Sequence, residues 1–195
     1  MSEQTIRSFI AIELPEEVKS GLQWLQTELT LVRHKSVKCV SPDGIHLTLK
    51  FLGYISPQKV TEITEVMEQT SQGVSPFRLE ISELGAFPNM RQPHVVWIGI
   101  RGDLNKLIAW QERIDNGLVP LGFIKESRRF SPHLTLARLR ESCSSQDRRE
   151  VGALVMKTHV EVNYTVNVDS LSLMRSQLLP TGAIYSRLAE VKLKM

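Results

Sequence analysis

The chain of 195 residues has only two cysteines, Cys39 and Cys143, too few for a disulfide framework or a cysteine metal cluster. Their expected role is packing in a reducing compartment. No apolar run approaches the roughly 20 residues that span a bilayer. The opening Met1-Ser2-Glu3-Gln4 has no basic stretch leading into an apolar one, which argues against a secretory leader. Together these absences predict a cytoplasmic protein. No glycine-serine linker or low-complexity tract divides the sequence, so residues 1–195 are expected to form a single bilobal domain. A net charge of +3 permits a polyanionic partner without demanding one. Hydrophobic content of 42% and charged content of 23% are those of an ordinary globular chain with a real core.

What the sequence does contain is one tetrapeptide twice. His46-Leu47-Thr48-Leu49 returns as His133-Leu134-Thr135-Leu136. Apolar and polar residues alternate in both copies, the period of a half-buried strand. Side chains at i and i+2 share a face of a strand, so His46 should point with Thr48, and His133 with Thr135, while the leucines face a core. A histidine in a strand is more often structural than catalytic. Two identical strings, each with a turn residue or breaker just upstream, are far less readily accidental. Histidine exchanges protons near neutrality. Two of them can divide acid and base work between a nucleophile and a leaving group. Threonine hydroxyls can donate to phosphoryl oxygens as charge builds there. The constellation suits phosphodiester hydrolysis without metal or other cofactor.

Periodicity places further elements in order. A strand is predicted over Ile6 to Glu13, then an amphipathic helix carrying Leu14, Val18, Leu22, Leu25 and Leu29. A short strand over Val37 to Val40 leads through the turn at Ser41-Pro42-Asp43-Gly44 into the first motif strand, which should end near Gly53. Ser56-Pro57 reads as a cap and first helical position for a helix reaching about Ser71. Strands follow at Phe77 to Ile81 and His94 to Ile100, with a loop at Gly85 to Asn89 between them. Asp103 is the expected cap of a helix closed by Pro120 and Gly122. The second motif lies in Phe130 to Leu139. After it come a helix from about Asp147 to Met156 and strands near His159 to Val168, Ser170 to Ser176 and Ala183 to Val191, the last two separated by turn signals at Leu179 to Gly182. Each motif follows one helix and precedes another. The expected fold is α+β: two pseudo-symmetric lobes of mainly antiparallel sheet with outer helices and the active-site cleft between them.

The chain resembles the two-histidine phosphoesterase superfamily, and more narrowly the RNA 2',3'-cyclic phosphodiesterases once described as 2'-5' RNA ligases. The resemblance rests on Arg7 to Ile12 with Leu14-Pro15, on His46 to Gly53, on Leu84 to Pro88, on Val96-Trp97, on Pro120 to Phe123 and on Phe130 to Arg138. It implies hydrolysis of a 2',3'-cyclic phosphate at an RNA end to a 2'-phosphate. Carried over, His46 is the proton donor to the departing 3'-oxygen and His133 the proton acceptor from water, although motif symmetry leaves the reverse assignment open. Thr48 and Thr135 hold the phosphate oxygens. Arg138 matches a family arginine near the phosphate, but strict alternation puts it opposite His133. It serves only if the strand ends or bulges after Leu136; otherwise it is a surface arginine.

Phe51 and Phe9 are candidates to stack on a base, with Phe51 expected in the core by alternation and Lys50 on the face of His46. Lys125, Arg128 and Arg129 are a solvated charge run that could rim an RNA site. His34, His94 and His159 lack partners at metal-ligand spacing. The expected partners are RNA or oligonucleotide ends bearing cyclic phosphate, with no membrane and no metal, and the protein is expected to be a monomer. Two alternatives remain: 2'-5' ligation at the same site, and a binding module that recognises an RNA end without turnover.

Overall fold

The computed structural model describes residues 5–29, 31, 35–159, 164–179 and 182–194. Met1 to Gln4, His34 and the middle of the Leu179 to Gly182 turn lie outside them. Among the described residues nine strands form two antiparallel sheets, with four α-helices packed on them. The first sheet has the order β3-β1-β8-β9, from β1 (Ile6–Glu13), β3 (His46–Ile55), β8 (Ser170–Leu179) and β9 (Gly182–Lys192). The second has the order β2-β6-β5-β4-β7, from β2 (Val37–Cys39), β4 (Phe77–Phe87), β5 (Val95–Gly102), β6 (His133–Leu139) and β7 (Thr165–Val168). This is the expected two-lobed α+β fold.

Each helix buries one stripe. α1 (Glu16–Glu28) turns in Val18, Leu22 and Leu25; α2 (Lys59–Ser71) Ile63 and Met67; α3 (Leu104–Leu118) Leu107, Trp110, Ile114 and Leu118; α4 (Ser145–Lys157) Val151 and Val155. These spacings of three and four residues produce the apolar faces that the sheets cover. α2 and α3 pack on each other and reach β9 and β3 of the first sheet. α1 and α4 belong to the second: Gln26 of α1 hydrogen-bonds into β6, and Arg148 of α4 donates to the Pro93 carbonyl at the start of β5. The helix before each motif strand thus serves the opposite lobe, an interleaving that order along the chain did not predict.

Several element bounds differ from expectation. α2 starts at Lys59, because Ser56 and Pro57 form turns in which their carbonyls accept from the Lys59 and Val60 amides. Asp103 takes the expected N-cap position of α3, its carbonyl accepting from the Leu107 amide, but its carboxylate makes no cap bond and accepts from the Arg78 amide instead. β4 continues through Gly85, Ala86 and Phe87, whose ladder with β5 replaces the first part of the expected loop. β7 begins at Thr165; of the strand expected from near His159, residues 160–163 lie outside the described residues. α4 begins earlier than expected, where the Ser144 hydroxyl accepts from the Asp147 amide.

Candidate active site

Both motif strands alternate as expected for four residues and then depart in the same way. In β3, Ala11 pairs with Thr48 and Ile10 with Lys50, leaving Leu49 as an extra residue. In β6, Trp97 pairs with Thr135 and Val96 with Ala137, leaving Leu136 as the extra residue. A bulge of this kind reverses which side chains face inward beyond it. Lys50 and Ala137 therefore turn into the interior, at 8% and 0% exposure, while Phe51 stands 64% exposed. Two expectations are overturned: Lys50 does not share the face of His46, and Phe51 is not core. Arg138 follows the same shift and lies exposed on the face of His133 and Thr135, which is the bulged case.

The motif strands of the two sheets adjoin: β3 and β6 approach within 8 Å between Cα atoms. On one side the His46 ring stacks on Phe9, with centroids 4.5 Å apart, and meets Tyr185 edge-on at 5.0 Å. Phe9 is only 2% exposed, so it supports the imidazole and offers no free face to a base. Tyr185 is held close by Gly44, where a Cβ would lie 3.1 Å from its ring. On the other side His133 meets Phe87 edge-on at 5.0 Å and Trp97 at 6.2 Å. Trp97 lies flat over Gly85, where a Cβ would come within 2.1 Å of the indole. That glycine is what lets the indole settle beside the motif strand.

Each imidazole is oriented by the carbonyl two residues earlier. His133 Nδ1 is 2.8 Å from the Ser131 oxygen, and the His46 ring bonds the Gly44 carbonyl. Donation from one ring nitrogen leaves the other to exchange protons with a ligand. Burial pushes His46 down from 6.5 to about 4, against the raising effects of the Gly44 carbonyl and the Glu13 charge. Glu13 is the register partner of His46 on β1. Its carboxylate accepts from Ser172 Oγ at 2.5 Å and from Arg187 Nε at 2.7 Å. Burial raises Glu13, but these two hydrogen bonds and the Arg187 charge outweigh it and the net shift is downward. Glu13, Ser172, Arg187 and Tyr185 lie outside both motifs and no spacing connects them to His46. Only the alternation of β1, which puts Glu13 on the face of Phe9 and Ala11, could have hinted at the first.

His94 and His159 are exposed, and among the described residues no three His, Cys, Asp or Glu side chains group closely enough to hold a metal ion. Cys143 is buried and Cys39 partly so, with burial raising the Cys39 thiol. No helix among the described residues is long and apolar enough to cross a membrane.

Two adjoining sheets, each with a motif strand that carries an imidazole and a threonine on one face, have the arrangement of a two-histidine phosphoesterase. The family described as LigT-like phosphoesterase matches the chain twice, over residues 12–97 and 98–185, and the chain belongs to it. Curated relatives include an RNA 2',3'-cyclic phosphodiesterase of Methanothermobacter thermautotrophicus, 34% identical over 182 residues that cover 93% of this chain and 95% of the relative. Another of the same name, from Aeropyrum pernix, is 36% identical over 80% of this chain and 86% of its own. Among solved structures, a Thermus thermophilus protein superposes with a TM-score of 0.76 at 27% identity, covering 96% of this chain and 97% of that one. Escherichia coli LigT in complex with 3'-AMP shares the fold, with a TM-score of 0.78 at 23% identity over 98% of this chain and all of that one.

Proposed function

We propose that this protein hydrolyses 2',3'-cyclic phosphate ends of RNA to 2'-phosphates by metal-free acid–base catalysis; its curated relatives carry the name RNA 2',3'-cyclic phosphodiesterase. The observation that carries the reading is the pair of equivalent imidazoles, each turned by its i−2 carbonyl and each with a threonine on its face. His133 takes the proton of the attacking water as its oxygen bonds to phosphorus. The bond from phosphorus to the 3'-oxygen breaks, and His46 gives that oxygen its proton. Thr48 and Thr135 donate to the non-bridging oxygens, where charge accumulates. Arg138 adds a fixed positive fork from the same face.

The RNA strand leaves the site past Phe51. Its ring borders a cavity of about 340 Å³ that is also lined by Gly53, Gly122, Phe123 and Ile124. The chain continues from there into exposed Lys125, Arg128 and Arg129, which suit a phosphate backbone. The protein acts as a single bilobal domain of residues 1–195, as a monomer and in the cytoplasm.

Incubation with an oligonucleotide ending in 2',3'-cyclic phosphate, in the presence of EDTA, should yield the 2'-phosphate. Loss of activity with the chelator, or a 3'-phosphate product, overturns the mechanism. Unchanged substrate held tightly by the wild type would instead mark a binding module, and joined product with added 5'-hydroxyl RNA would mark a ligase. His46→Ala and His133→Ala should each lower turnover by about 10² to 10⁴-fold with far-UV circular dichroism unchanged.

A further inference from the structure

The two bulges that put Phe51 and Arg138 on the cleft face are held from outside their own strands. An extra residue in a bulge has no opposite number in the ladder, so its backbone groups need other partners. The Leu136 carbonyl accepts from Gln26 Nε2 at 2.7 Å and from the Val40 amide at 2.8 Å. Gln26 is 2% exposed and donates from the same nitrogen to the Val40 carbonyl at 2.9 Å, so it ties the bulge to the chain beside it. The Leu49 carbonyl accepts from Gln111 Nε2 at 3.3 Å, and Gln111 is likewise buried. Gln26 lies among apolar residues on the buried face of α1, and Gln111 on the buried face of α3, which besides its apolar residues holds Asp115. A buried glutamine is retained on such a face only where its amide is satisfied. Here each amide is directed at the carbonyl of the residue that the register with the neighbouring strand skips.

The arrangement is crossed. Gln26 falls in the first family match and serves the motif of the second; Gln111 falls in the second and serves the motif of the first. We infer that Gln26 and Gln111 are positioning residues for the reaction, each fixing the bulge and thereby the cleft-facing side chains of the opposite motif. Losing a bulge shifts the register by one residue and exchanges the faces beyond it. Arg138 would leave the cleft in favour of Ala137, and Phe51 in favour of Lys50. The hydrogen bonds to Leu136 and Leu49 oppose that loss by holding the residue that would have to be drawn back into the ladder.

The test uses Gln26→Met and Gln111→Met, which keep length and volume but remove the donor. The rescue pair is Gln26→Glu and Gln111→Glu, in which a buried neutral carboxyl can still donate one hydrogen bond. Ring-nitrogen resonances of His46 and His133 are recorded in each variant, together with kcat and KM on a cyclic-phosphate-ended oligonucleotide. Gln26→Met should shift the His133 ring and leave His46 in place, and Gln111→Met should do the reverse. Each should lower kcat/KM by about tenfold to a hundredfold, the loss expected from a misplaced site, and the glutamates should restore most of it. Combined with Arg138→Ala, Gln26→Met should cost less than it does alone, whereas Gln111→Met should cost its full amount. Shifts confined to the histidine of the same half, equal shifts of both rings, no shift, or unchanged turnover in the methionine variants would each overturn the inference. If a methionine variant fails to fold, the glutamate at that position carries the same crossed readout in weaker form. Only the turnover arm rests on the hydrolytic reading: crossed ring shifts in a protein inactive on cyclic phosphate would sink that reading and leave the placement of the glutamines standing.

Discussion

His46 and His133 share a tetrapeptide but not surroundings, and the difference bears on which of them carries a proton. The His46 ring is packed between Phe9 and Tyr185, and its burial drops it from 6.5 to about 4. Near neutral pH it is therefore uncharged in the free protein. A general acid must arrive at the reaction protonated, so in the role proposed for it His46 has to gain its proton together with the anionic phosphate, whose charge favours the imidazolium. Calorimetric titration with the 2'-phosphate product in buffers of different ionisation heat should show uptake of about one proton per phosphate bound near pH 7, abolished in His46→Asn. Absence of uptake in the wild type would transfer the acid role to His133. The same burial has a cost in acid. Because the folded value lies below the unfolded one, the unfolded chain binds more protons between them, and stability is lost as pH falls from 6.5 toward 4. Wild type should lose about 2 kcal/mol more than His46→Asn between about pH 7.5 and pH 5, read from urea midpoints. The histidines and threonines were legible in the sequence because proton transfer admits so few residue types. Glu13, Ser172, Arg187 and Tyr185 were not, since a bulky neighbour or a carboxylate brought in by strand pairing leaves no local signature.

Strands show where alternation stops being a guide. It assigned Ile45 to Leu49 and Pro132 to Leu136 to their faces and failed at the next residue in both, because the period of two presumes an unbroken ladder. Nothing in Lys50-Phe51 states that the lysine is the buried member of the pair; hydrophobicity argues the contrary. The bulge became visible only through the pairing of β3 with β1 and of β6 with β5. Helices were easier, since a stripe at intervals of three and four survives errors of a residue or two at either end. What the stripe omits is the close approach on which a helix seats. Gly152 of α4 is such a point: a Cβ there would lie 1.8 Å from the Met90 carbonyl oxygen, which is backbone and cannot swing aside. Although alanine is the better helix former, Gly152→Ala should push α4 off the loop that joins β4 to β5. A loss of about 1–3 kcal/mol is expected from such overpacking, measured by urea denaturation. Unchanged or increased stability would mean that α4 can shift without penalty.

At the scale of the whole molecule the lobes are not the halves of the sequence. Each sheet draws strands from both family matches, so neither half can close a core alone, and the seam between β3 and β6 depends on the segment that carries the chain across. That segment runs from Val119 to Pro132, and it is fastened to the first lobe before it delivers His133 to the second. Lys59 Nζ donates to the Leu121 carbonyl at 2.5 Å and Lys50 Nζ to the Ile124 carbonyl at 2.7 Å. Lys50 is also ion-paired with Asp115, whose second oxygen accepts from the Glu126 amide at 3.0 Å. Both members of this pair are less than a tenth exposed, so removing one leaves a buried charge unpaired, at a cost of about 3–5 kcal/mol. Lys50→Met should show that loss, and Lys50→Met with Asp115→Leu should recover most of it, because a buried ion pair replaced by apolar residues of similar size is often nearly neutral. Stability and crossover geometry then separate. The double variant still lacks the acceptor for the Glu126 amide and the donor to Ile124, so exchange of the Glu126 amide should remain fast and turnover on cyclic-phosphate ends should stay depressed in a protein of near wild-type stability. Full turnover in that variant would reduce the pair to a structural ion pair and leave the placement of His133 to β6 and its neighbours alone.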